Sequence, residues 1–217
     1  MIAIDGPSAS GKGTVAQRVA ARLGFHYLDS GALYRLVTFG ALQQRVALDD
    51  ETGLARLAAS LDARFSGENI ILNQEDVTDA IRSEAVGEGA SRVAALPAVR
   101  QALLERQRAF RQPPGLVADG RDMGSIVFPD AVLKIYLTAD AGERARRRYK
   151  QLIEKGMGAN ITTLLQDIGH RDARDSARAV APLRKSDDAS LLDTTKLSID
   201  AAVEQVLARY VAAIRVS

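Results

Sequence analysis

The chain has 217 residues, enough for one substantial core with room for a small insertion. Its 47% hydrophobic and 26% charged content excludes disordered and membrane-embedded classes, and the lack of cysteine with only two histidines excludes disulfides, thiolate metal sites and histidine-rich metal centres. Lysine plus arginine, 29 against 27 aspartate plus glutamate, leaves a net charge of +2, too small for a sequence-independent field toward nucleic acid.

In chain order, Ile2-Ala3-Ile4-Asp5 reads as a short buried strand. Lys12 to Leu23 follows as a helix with Val15, Val19 and Leu23 on one face and Gly24 as its stop. Phe25 to Leu28 is a second strand ending at Asp29-Ser30, Gly31 to Gln44 returns to helical spacing, and Glu51 to Ala59 is another helix. From Asp62 to Val77 short apolar runs, Arg64-Phe65 and Ile70-Ile71-Leu72, alternate with turn compositions at Ser66-Gly67-Glu68-Asn69 and Asn73-Gln74-Glu75-Asp76. A small antiparallel β insert is expected there, within residues 61–86.

Pro97 to Arg111 is a long helix with Val99, Leu103, Leu104 and Phe110 inward, closed by Pro113-Pro114-Gly115. Leu116 to Asp119 and Val132 to Leu137 are continuous apolar runs of the kind buried in a parallel sheet. Asp140 to Glu143 has the pattern of a capping box opening an arginine-rich helix, a short helix lies near Thr162 to Arg171, and Leu191-Leu192-Asp193 is a last strand. Ser198 caps a terminal helix with Ile199, Val203, Val206, Tyr210 and Ile214 inward. Alternating strands and helices predict an α/β fold, a single three-layer α/β/α domain spanning 1–217 with a doubly wound parallel sheet.

Between the first strand and helix, Gly6-Pro7-Ser8-Ala9-Ser10-Gly11-Lys12-Gly13-Thr14 carries glycine, four residues, glycine and lysine. At that spacing backbone N–H groups wrap phosphates and the lysine reaches the terminal ones, so the loop is expected to bind a nucleoside triphosphate. Gly13 stands where the general motif has the hydroxyl that helps to hold magnesium, and Thr14 follows one place later. No side chain is therefore assigned as a metal ligand; magnesium would arrive mainly with the phosphates of ATP.

Beyond this loop the sequence resembles the bacterial cytidylate kinase family over nearly its whole length. The segments that carry the resemblance are Gly6 to Thr14, Leu28 to Arg35, Ala118 to Gly124, Val127 to Asp130, and Arg171 to Asp175 continuing through Arg178 to Leu183. The first is shared by many kinases; the other four together are specific to the family. The resemblance implies an ATP-dependent kinase of CMP and dCMP in pyrimidine nucleotide metabolism. It further implies that Ser30, Ser91, Arg100, Asp122, Arg171, Asp175 and Arg178 surround the acceptor, with Arg35 and Arg121 near its phosphate.

The chemistry of several of these residues agrees. Asp122 can accept from the exocyclic amine of cytosine and Arg100 can donate to the ring acceptors, which favours cytosine over uracil. Asp175 could accept from a ribose hydroxyl, leaving Arg178 for phosphate. Arg144 and Arg148, one helical turn apart, are expected to clamp phosphate, whereas Arg146 and Arg147 read as a solvated face. Asp119 is either a cap at a strand end or a group near the magnesium and its waters. His26 and His170 read as structural, because an acceptor phosphate with a second pKa of about 6 attacks without a general base. Charge neutralisation by Lys12, Arg121, Arg144, Arg148 and magnesium is what such a reaction needs.

The resemblance also implies a mobile lid that keeps water from the γ-phosphate, for which residues 150–172, loosened by Gly156 and Gly158, are the candidate. By the same resemblance the insert would close on the monophosphate from the acceptor side. The expected partners are ATP, CMP and dCMP, with no nucleic acid and no membrane, and the expected form is a monomer. Met1 to Asp5 shows neither a basic start nor a signal-length apolar run, so the cytoplasm is the expected location. A kinase for another monophosphate or a small metabolite, and a nucleic-acid-dependent P-loop ATPase, stay open as alternatives.

Overall fold

The computed structural model describes residues 1–66, 69–154 and 156–215. The chain forms two compact units: one joins Met1–Leu28 to the described residues from Phe110 onward, and the other is Asp29–Ala109.

The first unit is built on a five-stranded sheet. Strand β1 (Ile2–Asp5) lies at its centre, paired in parallel with β6 (Leu116–Gly120) on one side and β7 (Leu133–Thr138) on the other. β8 (Ser190–Asp193) adds in parallel outside β7, and β2 (His26–Asp29) borders β6 at the opposite edge. The expected α/β architecture is thus present. All four residues of β1 and all five of β6 are buried, which is why both segments read as unbroken apolar runs ending in a polar residue.

Helix α1 (Lys12–Leu23) and the terminal helix α8 (Ile199–Ile214) pack together. Val15, Val19, Val203 and Val206 join Ile2, Ile4, Val117, Ile135 and Leu137 in one core cluster. Each such side chain contributes roughly 1.5–3 kcal/mol by leaving water. Gly24, at φ 66°, ends α1 as expected, and the Ser198 hydroxyl caps α8 by accepting from the Ala201 N–H. Ile199 and Ile214, expected inward, are 42% and 49% exposed. At the ends of a helix the apolar stripe runs past the sheet, so spacing alone overstates burial there.

The arginine-rich helix α6 (Ala141–Glu154) begins with only half of the expected capping box. Asp140 accepts from the N–H groups of Gly142 and Glu143, but its own N–H donates to Thr195 Oγ1, while Glu143 turns to Arg147. Helix α7 (Ile161–Ser176) is longer at both ends than the segment Thr162 to Arg171, and Asn160 caps it. Between β6 and β7 the chain makes a π-helical turn, Met123–Val127. Of the expected lid span, Lys155 lies outside the described residues.

In the second unit, α2 (Ser30–Gln44) packs on α3 (Glu51–Ala59) and on α4 (Glu84–Val93), while α5 (Pro97–Ala109) packs on α3. Helix α4 is absent from the sequence-based expectation. Its start signal is local: Ser83 accepts from the Val86 N–H, with Glu84 in the first turn. Glycines at 87 and 89 masked the periodicity; a Cβ at Gly89 would press on Thr38 of α2, and one at Gly87 would meet the guanidinium of Arg35. Helix α5 stops at Ala109, leaving Phe110 and Arg111 beyond it, and Leu104 is half-buried.

The expected antiparallel insert is a three-stranded sheet: β3 (Ala63–Ser66), β4 (Asn69–Leu72) and β5 (Glu75–Asp76). Gly67 and Glu68, read as part of the first turn, lie outside the described residues. The second turn is shorter than expected. Asn73 and Gln74, with φ of 49° and 72°, make it alone, so Glu75 and Asp76 pair with β4 instead of serving as turn residues.

Candidate active site

The phosphate loop leaves the end of β1, the central strand, with its neighbours' carboxyl ends on both sides, the position at which open α/β sheets bind ligands. Its conformation is expensive. Gly6 has no room for a side chain, since a Cβ would collide with the Leu137 carbonyl, and Gly11 lies at φ 89°. Ala9 adopts a left-handed φ of 56°, a strained state for a residue with a Cβ. Gly11 opens α1 without a side-chain cap, so the first amides of the helix face the loop as donors for an anion. Lys12 places its ammonium 3.4 Å from the Pro7 carbonyl, folded back across the loop, and Thr14 follows on the first turn of α1.

Carboxylates and arginines from the same unit hold this loop from outside. The Ser8 N–H donates to Asp172 Oδ1 at 3.1 Å, and the other oxygen of Asp172 accepts from Arg144 at 2.5 Å. Arg144 is buried and also donates to the Ser8 and Ala139 carbonyls. Arg148 is half-buried one turn further along α6. The expectation that Arg147 belongs to a solvated face is corrected here. Its guanidinium donates to the Ser10 carbonyl at 3.1 Å and to the Thr194 hydroxyl and carbonyl, tying α6 to the phosphate loop and to the end of β8. Arg146 is exposed, as expected.

Arg121, just past β6, donates to Asp175 Oδ2 at 2.7 Å and to the Ser8 hydroxyl at 2.9 Å. Burial works against its charge, but Asp175, Asp172 and Asp119 more than offset this, and its pKa stands above the ordinary arginine value. Asp175 also accepts from Arg178. The picture of Arg178 left apart for phosphate therefore does not describe this structure, in which one buried carboxylate joins two guanidinium groups. Arg171 is half-buried one turn before Asp175 on α7. Asp119, at the end of β6, accepts from the Tyr27 hydroxyl at 2.7 Å, and a Cβ on Gly13 would lie 3.6 Å from its Oδ2.

Asp122 is buried where β6 leads into the π-helical turn. Directly after it, the turn is held by a group absent from the sequence-based set. Asp5 accepts from the Met123 N–H with one oxygen and from the Gly124 N–H with the other, both at 2.8 Å. Burial raises the Asp5 pKa to about 6, opposed by those two hydrogen bonds and by Lys12 and aided by Asp122. Because the folded-state value exceeds the ordinary 3.8, the folded chain binds this proton more tightly, and stability is lost as pH rises from about 3.8 through about 6. Asp5→Asn is accordingly expected to gain on the wild type across that window, by up to about 3 kcal/mol at roughly 1.4 kcal/mol per pH unit. Urea unfolding at stepped pH measures it, and a pH-independent difference would contradict the buried ionised carboxylate.

In the other unit, Arg35 donates to the Ile81 and Ser83 carbonyls, binding α2 to the start of α4. Ser30 and Ser91 are buried on α2 and α4. Arg100 is buried on α5, donates to the Ala94 carbonyl at 3.2 Å and lies over the Tyr34 ring at 5.9 Å from its centroid. The nine residues assigned to the acceptor are therefore divided: Arg121, Asp122, Arg171, Asp175 and Arg178 on the sheet unit, Ser30, Arg35, Ser91 and Arg100 on the helical one. His26 Nε2 donates to the Pro113 carbonyl at 2.9 Å, and His170 is exposed on α7. Among the described residues no helix is long and apolar enough to cross a membrane.

Comparison with known proteins identifies the group to which this arrangement is similar. A family model described as cytidylate kinase matches residues 2–212. A cytidylate kinase of Chromobacterium violaceum is 63% identical over 207 residues, covering 95% of this chain and 93% of the relative. One from Pseudomonas aeruginosa is 62% identical over 213 residues with the same coverage, and one from Bordetella pertussis is 59% identical over 207 residues.

Proposed function

Because the chain belongs to the cytidylate kinase family, we propose that it transfers the γ-phosphate of ATP to CMP or dCMP, yielding ADP and the corresponding diphosphate. The observation that carries this reading is the strained loop Gly6–Thr14 at the end of the central strand, flanked by the buried Arg144 and the half-buried Arg121. Two anions must meet for the reaction to occur, and their repulsion is the main barrier that the protein can lower.

In the proposed reaction an oxygen of the dianionic acceptor phosphate attacks the γ-phosphorus as the bond to the β,γ-bridging oxygen breaks and ADP leaves. Loop amides and Lys12 would hold the donor phosphates, and Arg121, Arg144 and Arg148 would offset the charge shared between donor and acceptor. Asp172 now occupies the Ser8 amide and one Arg144 nitrogen, so it would yield these donors to phosphate. Magnesium is part of the proposal. Thr14 and Asp119 supply the hard oxygen donors that suit it, directly or through water, and it would neutralise charge on the triphosphate.

We assign Asp122, Arg100, Ser30, Ser91, Arg171, Asp175 and Arg178 to the acceptor nucleoside and phosphate, and Arg35 and Arg121 to its phosphate. Residues 61–86 would close on the monophosphate and residues 150–172 would form the lid. The active form is taken as one chain, since every assigned residue comes from it, and the cysteine-free composition fits a cytoplasmic setting.

An ADP-release assay across CMP, dCMP, UMP, AMP and GMP tests the activity, with CMP and dCMP expected to lead. Activity on AMP with none on CMP would end the reading. Asp122→Asn is expected to erode the preference for CMP over UMP by on the order of 10-fold, because an amide can no longer offer two acceptor oxygens to the cytosine amine.

A further inference from the structure

A parallel strand buried on both sides has no structural need for a carboxylate at its end, and burying one is costly. Asp5 is nevertheless ionised at neutral pH, and both of its oxygens are spent on the Met123 and Gly124 amides. These are the first two amides of the π-helical turn, and Asp122 immediately precedes them with φ −150° and ψ 22°, outside both helix and strand values. The side chain of Asp122 does not cap this turn. Asp5 holds those amides instead, from the neighbouring strand β1.

We propose that Asp5 is a positioning residue for base selection: its carboxylate anchors the Met123 and Gly124 amides and thereby sets the backbone from which Asp122 meets the cytosine amine. This rests on the reading of Asp122 given above. Two parallel N–H groups require two acceptor oxygens, which a carboxylate has and a carboxamide lacks, since the amide's second position is itself a donor. Gly124 tightens the arrangement further, because a Cβ there would press on the Lys134 side chain at 3.2 Å. Asp5 directly precedes Gly6, but its carboxylate oxygens are bonded to the turn after β6, so its side chain acts on the base-reading turn and not on the phosphate loop.

The charged and titratable groups around Asp5 are Asp122 from the turn after β6, Lys12 from α1 and Tyr136 opposite it on β7. Asp119 lies on β6 beside Ile4 and is bonded to Tyr27. When Asp5 is protonated one of its oxygens becomes a donor, and the hold on the two amides weakens. Base selectivity should therefore decline as pH falls through about 6.

The test is the ratio of kcat/KM for CMP to that for UMP, in wild type, Asp5→Asn and Asp122→Asn. The two acceptors carry the same phosphate, so its titration cancels in the ratio. Asp5→Asn is expected to lower the ratio by about 10-fold at neutral pH while moving the KM for ATP by less than ~2-fold. The wild-type ratio is expected to fall through about pH 6 and that of Asp5→Asn to stay flat. An unaltered ratio in Asp5→Asn beside a lowered one in Asp122→Asn would overturn the positioning role and leave the base-reading assignment standing. Unaltered ratios in both would end that assignment and this inference with it. A KM for ATP that rises as much as the ratio falls would mark a merely structural role and also overturn it. Should Asp5→Asn fail to fold, the wild type still decides: its Met123 and Gly124 amide resonances must titrate together with the ratio, and a pH-independent ratio would refute the proposal.

Discussion

Lys12→Ala should reduce kcat by about 10²–10³-fold while leaving the unfolding midpoint close to that of the wild type. The ammonium group is only half-buried and approaches the Pro7 carbonyl at 3.4 Å, and Asp5, the buried carboxylate that feels its charge, keeps both amide donors when it is removed. What it removes is a positive charge that matters most as the phosphoryl group leaves the β-phosphate. The loss should therefore fall mainly on kcat and less on the KM for ATP. Single-turnover kinetics with circular dichroism as the check on folding measures both. Turnover equal to wild type would detach the loop from the donor.

Asp175→Ala should destabilise the protein by about 3–5 kcal/mol, the range expected when one partner of a buried ion pair is deleted. The Asp175 side chain is 3% exposed and joins Arg121 and Arg178, whose side chains are 18% and 4% exposed. Without the carboxylate two guanidinium groups stay in a low-dielectric setting. Arg121 keeps the Ser8 hydroxyl and lies in the field of Asp172 and Asp119, which places the expected loss toward the lower end. Asp175→Asn, which retains one acceptor, should cost about half as much. Urea unfolding reads both. A loss under about 1 kcal/mol would mean that water solvates the arginines after the change.

Much of the sheet unit was legible without coordinates. β1, the phosphate loop and α1 each announce themselves within a few residues: an apolar run, glycines at fixed spacing, a 3.6-residue stripe ended by Gly24. β6 and β7 follow for the same reason. Helix α4 escaped because Gly87 and Gly89 dilute its periodic signal; at Gly89 a Cβ would press on Thr38 of α2 at 2.6 Å. The arginine-rich helix shows a different failure. Apolar residues on α6 are too few to mark an inner face, and Ala145 and Leu152 leave the rotation ambiguous, so nothing local tells Arg147 from Arg146. In the fold Arg147 reaches Ser10 and Thr194, while Arg146 faces water.

Short-range pattern was thus sufficient for the α/β class, the phosphate loop and most helix ends, because each depends on hydrogen bonds closed within a few residues. The network around the loop depends on partners far apart in the chain. Asp5 and Met123 are 118 residues apart, Ser8 and Asp172 164, and Arg147 and Ser10 137. No spacing rule spans such distances. Which carboxylate holds which amide, and which arginine is withdrawn from solvent, follows from strands β1, β6 and β7 lying side by side in the folded chain, where burial makes each polar group find a partner.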